Sequence, residues 1–138
     1  MLQFYFLSVA ANFLAGTALS AEWFSRKIPG LAGLGPGFSG RGFRMGIGLA
    51  AIFVGVGTLF VPADAHLILG DLLPSLAGMA MGIALLFEVF RQDAIFPAER
   101  AERNDKAARL PLAYRTALGI FGLVVAIVHF FLPERFIV

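Results

Sequence analysis

The chain has 138 residues, of which 59% are hydrophobic and 14% charged, whereas soluble domains average roughly 45–50% and 25%. A soluble domain of this length has too small an interior to hide so much apolar surface. The chain contains no Cys, which excludes a disulfide framework and a thiolate metal site. Its basic residues do not lie along an amphipathic recognition helix, so no nucleic-acid partner is predicted. The composition therefore predicts an integral membrane protein with lipid as its main solvent.

Four apolar segments follow one another along the chain: Gln3–Phe24, Phe43–Pro62, Leu67–Phe90 and Leu112–Leu132. Each has the roughly 20 residues that a helix needs to cross ~30 Å of hydrocarbon. The segments are apolar on all sides rather than alternating, which favours helices over barrel strands. The first segment has no Lys or Arg before it and is long for a signal peptide, so we expect it to stay as a span. The predicted fold is an all-α membrane protein with one four-helix domain.

The basic residues predict the orientation of these spans. Ten of the eleven Lys and Arg residues lie in or beside the two longer connections, and only Arg135 belongs to the other side. By the positive-inside rule both longer connections are cytoplasmic. The two termini and the turn at residues 63–66 are then outside. We expect a bacterial-type inner membrane or a plasma membrane.

The two halves of the chain resemble each other. A shift of 66 residues aligns the first span with the third, and a shift of 71 aligns the second with the fourth. The matches of greatest weight are Gly16/Gly82, Glu22/Glu88, Arg44/Arg115 and Gly48/Gly119. We predict two tandem helical hairpins, residues 3–62 and 67–133, related by a parallel pseudo-twofold axis along the membrane normal. The alternative is chance similarity between apolar strings.

Small residues recur at helical spacing in every span. Because lipid removes the hydrophobic drive between helices, such residues commonly mark the places where helix backbones approach each other. The predicted packing positions are Gly16, Gly48, Ala51, Gly55, Gly78, Gly82, Gly119, Gly122 and Ala126. We expect a four-helix monomer to need fewer packing positions than these. The surplus favours a homo-oligomer or a larger membrane complex.

Charged residues repeat at the predicted cytoplasmic boundary. Glu22 and Glu88 end the first and third spans, and Arg44 and Arg115 open the second and fourth. One interpretation is an interhelical ion pair within each hairpin, Glu22 with Arg44 and Glu88 with Arg115, with the arginine stems snorkelling. The other makes the two carboxylates gating or coupling groups on an ion route.

Other polar residues lie in the first span, in the outer turn and in the first connection. Asn12 is the one strongly polar side chain deep in a span, and it either joins neighbouring helices or contacts a ligand. His66, Asp64 and Asp71 lack a metal-ligand spacing, so we expect a solvated turn rather than a metal site. The run at residues 35–40 matches GxGxxG but follows no strand, which argues against a dinucleotide site. No cofactor is predicted.

Two functional hypotheses remain from the sequence. The first is a small non-enzymatic membrane subunit or scaffold that packs through small-residue faces with itself or a larger complex. The alternative is a compact oligomeric transporter or channel for a small solute or ion, with a pathway between the two hairpins. The connection at residues 91–109 is predicted as a solvated helix extension or as a docking segment for a cytoplasmic partner or anionic lipid.

Overall fold

The computed structural model of the chain describes residues 2–60, 72–94 and 112–131. This part is helical and contains no strand, which confirms the all-α prediction. The outer turn with His66, Asp64 and Asp71, most of the connection at residues 91–109, and Arg135 lie outside the described residues. The helices are α1 (Leu2–Lys27), a 3-10 turn (Pro29–Leu31), α2 (Leu34–Gly37), α3 (Arg41–Phe60), α4 (Leu72–Ala94) and α5 (Leu112–Phe131).

The end of α1 follows from the local sequence. Pro29 has no backbone N–H and disfavours helical geometry in the residue before it, so the helix stops at Lys27. Ile28 is already extended, although its N–H still donates to the Phe24 carbonyl at 2.9 Å. Arg26 and Lys27 occupy the last turn of α1, where positive charge complements the helix dipole.

Three helices within the described residues are long and apolar enough to cross a membrane: Arg41–Phe60, Leu72–Phe90 and Ala113–Phe131. α1 has 26 residues and is not among them. It carries more polar side chains than the other long helices, including Asn12 and Glu22, which lower its hydropathy. The fold is thus compatible with a membrane protein, with three apolar candidate spans.

The four long helices form one bundle in which α1 and α4 lie side by side at the centre. α3 packs most closely on α4, and α5 packs most closely on α1. α3 also contacts α1, and α5 also contacts α4. Each helix therefore has its most extensive contact with a helix from the other predicted hairpin. The contacts of the two predicted hairpins are interleaved across the bundle.

The bundle is apolar both inside and outside. Leu19, Met81 and Leu85 are fully buried in the core. On the outer surface, Phe53 is 83% exposed and Phe60 is 82% exposed. Exposure of such an apolar surface to water is unfavourable, whereas lipid acyl chains solvate it.

Glycines allow the closest backbone approaches in the bundle. A Cβ atom built on Gly82 of α4 would lie 2.6 Å from the Gly48 carbonyl oxygen of α3. A Cβ atom built on Gly119 of α5 would lie 2.7 Å from the Gly16 carbonyl oxygen of α1. Both distances are too short for a side chain. All nine small residues predicted for helix packing are buried, namely Gly16, Gly48, Ala51, Gly55, Gly78, Gly82, Gly119, Gly122 and Ala126.

Candidate functional site

A charged cleft of about 620 Å³ lies at one end of the bundle, where α1 and α4 approach their C-termini and α3 and α5 begin. All four long helices and the connection between α1 and α3 contribute to its wall. The lining residues are Glu22, Ser25, Arg26, Gly35, Pro36, Ser39, Arg44, Glu88 and Arg115. The four charged residues singled out in the sequence thus come together around one opening.

Glu88 and Arg115 form the buried centre of the cleft, and the side chain of each is only 4% exposed. The Glu88 Oε1 atom lies 2.5 Å from Arg115 Nε, in a direction outside hydrogen-bond geometry. The contact is therefore a close charge pair. The other carboxylate oxygen, Oε2, accepts a hydrogen bond from Arg44 Nη1 at 2.9 Å. One carboxylate of α4 thus binds guanidinium groups of both α3 and α5.

Glu22 completes the ion network from α1. Its Oε2 atom accepts a hydrogen bond from Arg115 Nη1 at 3.3 Å, and its Oε1 atom accepts one from Arg26 Nη2 at 2.6 Å. The sequence interpretation paired Glu22 with Arg44 inside one hairpin. In the structure both Glu22–Arg115 and Glu88–Arg44 join different predicted hairpins, whereas Glu88–Arg115, the other pair that the sequence suggested, joins helices of the same one. Helix packing explains why Glu22 pairs with Arg115 instead of Arg44, because α1 lies closest to α5 and α3 lies closest to α4.

Positive charge exceeds negative charge in the cleft. Three guanidinium groups, of Arg26, Arg44 and Arg115, face two carboxylates, of Glu22 and Glu88. The formal charge of this wall is therefore one positive unit. In addition, the Arg115 Nη2 atom is buried and has no hydrogen-bond acceptor among the described residues. A buried guanidinium N–H without an acceptor is costly, so the arrangement is suited to an added anion.

The connection between α1 and α3 forms one wall of the cleft. Arg44 Nε donates to the Phe38 carbonyl at 2.9 Å, which ties this connection to α3. Phe38 packs against the hydrophobic core. Gly35 faces Ser25 so closely that a Cβ atom there would lie 2.9 Å from Ser25 Oγ. The GxGxxG letters thus belong to a glycine-rich turn with a short helix, Leu34–Gly37.

Asn12 lies in the contact between α1 and α4 rather than in the cleft. Its side chain is 2% exposed, and Nδ2 donates to the Pro74 carbonyl at 3.0 Å. The Oδ1 atom faces Gly78 and has no hydrogen-bond donor in the part of the chain that the structure describes. The contact joins two helices, as one of the two sequence interpretations proposed.

Sequence reasoning did not single out Ser25, Arg26 or Ser39, although all three line the cleft. The signal was present for two of them, because Ser25 and Arg26 follow Glu22 by three and four residues and share its helix face. Ser39 gave no such signal, since its position depends on how the connection folds. Within residues 2–60, 72–94 and 112–131, no group of three or more His, Asp or Glu side chains has the arrangement of a metal site.

Comparison with known proteins gives a family but no activity. No curated protein and no solved structure matches the chain. A protein-family model matches residues 1–129, from α1 almost to the end of α5. Because the match covers most of the sequence, the chain belongs to this family, whose function is unknown.

Proposed function

We propose that the chain is a small non-enzymatic integral membrane protein that crosses the bilayer four times and binds an anionic ligand in its charged cleft. The observation that carries the proposal is Arg115, whose buried Nη2 atom lacks an acceptor among the described residues, in a cleft with one excess positive charge. A bound anion would supply both the missing acceptor and the missing negative charge.

α1 serves as the fourth span in this proposal. With 26 residues it is long enough to cross ~30 Å of hydrocarbon. Its polar side chains Ser8, Asn12 and Ser20 are buried against the rest of the bundle. Ser20 Oγ also donates to the Gly16 carbonyl at 2.6 Å. Because these groups avoid the lipid-facing surface, they do not prevent insertion.

The interhelical contacts support the tandem repeat. Under the shifts of 66 and 71 residues, Gly16–Gly119 in the α1–α5 contact corresponds to Gly82–Gly48 in the α4–α3 contact. The ion pairs Glu22–Arg115 and Glu88–Arg44 correspond in the same way. Chance similarity of apolar strings would give no reason for equivalent residues to make equivalent contacts. Two hairpins about an axis between α1 and α4 account for both correspondences.

The cleft favours ligand binding over the scaffold hypothesis. That hypothesis relied on small-residue faces left over for partners, but all nine of these residues are buried within the chain. The cleft lies between the two proposed hairpins, where the alternative hypothesis put a solute pathway. Beneath it, Leu19, Met81 and Leu85 are fully buried. In the described residues the cleft therefore opens at one end of the bundle, as expected for a binding site or for one state of a transporter.

Binding is tested by the thermal stability of the protein in a neutral detergent. The probes are inorganic phosphate, a short-chain phosphatidylglycerol and, as the uncharged control, a short-chain phosphatidylcholine. We expect at least one anionic probe to raise the Tm saturably, since a ligand at 100 times its Kd stabilises by about 2.7 kcal/mol. The neutral lipid should have no such effect.

The matched variants are Arg115→Lys and Lys27→Gln. Arg115→Lys keeps the charge but removes the planar guanidinium, so it should weaken the response strongly. Lys27 is exposed in the last turn of α1 and does not line the cleft, so its replacement should have a small effect. An absent response to both anionic probes would refute the proposed function. An equal response in both variants would refute the role of Arg115.

A labelling experiment tests the orientation of the proposed spans. The chain has no Cys of its own, so single cysteines at Ser39 and at Ala65 can be compared directly. We expect an impermeant thiol reagent outside intact cells to label Ala65→Cys and to leave Ser39→Cys unlabelled, because the basic connections are predicted to be cytoplasmic. Labelling of Ser39→Cys from outside would reverse the orientation.

A further inference from the structure

We infer that the anion in the charged cleft is the phosphate group of an anionic phospholipid from the cytoplasmic leaflet. This inference rests on the proposed function and names the ligand class. It joins two observations, the depth of the cleft along the bundle and the chemistry of its guanidinium groups.

Aromatic side chains place the cleft at the level of the lipid headgroups. Trp23 directly follows Glu22, and Tyr114 directly precedes Arg115. The Tyr114 side chain is 72% exposed on the outside of the bundle, and Trp23 is half-buried. Trp and Tyr are enriched where a membrane helix meets the headgroup region. A lipid phosphate therefore reaches this depth without leaving its leaflet.

The cleft matches a phosphodiester in charge and in donors. Its one excess positive charge equals the single negative charge of a lipid phosphodiester. Arg115 lines the cleft, and its buried Nη2 atom has no acceptor among the described residues. Planar guanidinium groups suit phosphate oxygens. α3 and α5 both begin here, so the positive ends of their dipoles point toward the same region. Basic pockets between transmembrane helices on the cytoplasmic side bind lipid headgroups in this manner.

The connection beside the cleft offers an apolar surface to the rest of the lipid. Ile28 is 42% exposed and Leu31 is 36% exposed, on the segment that leads into the wall of the cleft. Phe43, at the start of α3, is 44% exposed. A free phosphate ion would gain nothing from these side chains, whereas the acyl chains of a lipid would contact them. The apolar neighbourhood therefore favours a lipid as the source of the phosphate.

The single tryptophan, Trp23, provides the measurement. The full chain is reconstituted in bilayers that contain brominated phosphatidylglycerol or brominated phosphatidylcholine at equal mole fractions, and quenching of tryptophan fluorescence is compared. We expect brominated phosphatidylglycerol to quench the tryptophan fluorescence several-fold more effectively than brominated phosphatidylcholine at the same mole fraction. Arg115→Lys should reduce this preference, and Lys27→Gln, which removes a positive charge outside the cleft, should largely keep it. If Arg115→Lys does not fold, Arg44→Lys replaces it, because Arg44 lines the same cleft.

Two further measurements distinguish a lipid phosphate from free inorganic phosphate as the bound anion. Inorganic phosphate is added at millimolar concentration to the bilayer sample, and the Tm is measured with phosphate in neutral detergent. A lipid preference that survives free phosphate supports the inference. Equal quenching by both lipids, together with a phosphate-dependent rise in Tm, overturns the lipid inference and leaves the proposed function standing. No preference and no rise in Tm overturn both. A preference that Lys27→Gln abolishes as fully as Arg115→Lys indicates general surface attraction and also overturns the inference.

Discussion

Arg115→Ala is expected to lower the free energy of unfolding by about 3–5 kcal/mol, because it leaves buried carboxylate charge without its nearest partner. Glu88 is 4% exposed and would keep its ion pair with Arg44. Glu22 would lose its contact with α5 and keep the exposed pair with Arg26. The measurement is equilibrium unfolding in mixed detergent micelles, followed by the fluorescence of Trp23.

A double-mutant cycle separates pairing from the general effect of truncation. Glu88→Ala alone should also be strongly destabilising, because it removes the carboxylate that both Arg44 and Arg115 approach. The double variant should recover part of the summed loss, which gives a coupling energy of the sign expected for an ion pair. Arg26→Ala is the exposed control, with an expected change of about 0–1 kcal/mol. Additive losses from Glu88 and Arg115 would contradict the network.

The gating interpretation of the same carboxylates stays a prediction and has a different signature. If Glu22 and Glu88 carried protons or ions, Glu88→Gln would keep the shape of the side chain but could not hold charge. Flux through proteoliposomes would then disappear while the protein stayed folded. The structural interpretation instead expects Glu88→Gln to lower stability, because Arg44 and Arg115 both approach its carboxylate. Wild-type protein without flux would count against gating.

The level of each functional side chain along the bundle was easier to predict than its partner. Hydropathy and span length give depth directly, so the sequence alone assigns Glu22, Arg44, Glu88 and Arg115 to one boundary. Which acid meets which base depends on the order of helices around the bundle. Pairing each acid with the base at similar depth in its own predicted hairpin suggested Glu22 with Arg44. The observed order brings α1 next to α5 and α3 next to α4, which the spacing of residues along the chain does not determine.

The small residues indicated which helix faces make close contacts but not which helices they contact. Glycines at a spacing of four indicate that a backbone approaches, yet the approaching helix can belong to the same chain or to another. Gly16 and Gly119 show that the chain supplies both sides of the contact. The nine predicted packing residues are therefore used in contacts within the chain. The concave shape of the cleft had no sequence signal, because its wall includes Ser39 and Pro36 from a connection whose path the sequence does not specify.

Gly82→Ala is expected to destabilise the bundle by about 1–3 kcal/mol, the usual cost of forcing a methyl group into a filled contact. The new Cβ atom would lie 2.6 Å from the Gly48 carbonyl oxygen and 3.1 Å from the Ile52 backbone nitrogen. Backbone atoms cannot rotate away as the end of a long side chain can, so α3 and α4 must separate. That separation would also lengthen the Arg44–Glu88 contact further along the same two helices.

Gly46→Ala is the matched control, because Gly46 lies on α3 close to Gly48 and a Cβ atom there would meet nothing within 4 Å. Alanine has the higher helix propensity, so this variant should equal or exceed the wild type in stability, by up to about 1 kcal/mol.

Gly119→Ala extends the test to the other half of the proposed repeat, since its Cβ atom would lie 2.7 Å from the Gly16 carbonyl oxygen. Thermal unfolding in one detergent compares all three variants. Losses at Gly82 and Gly119 of similar size, with none at Gly46, would fit two equivalent helix contacts. A loss at Gly46 as large as that at Gly82 would instead mean that the observed backbone approach does not determine stability.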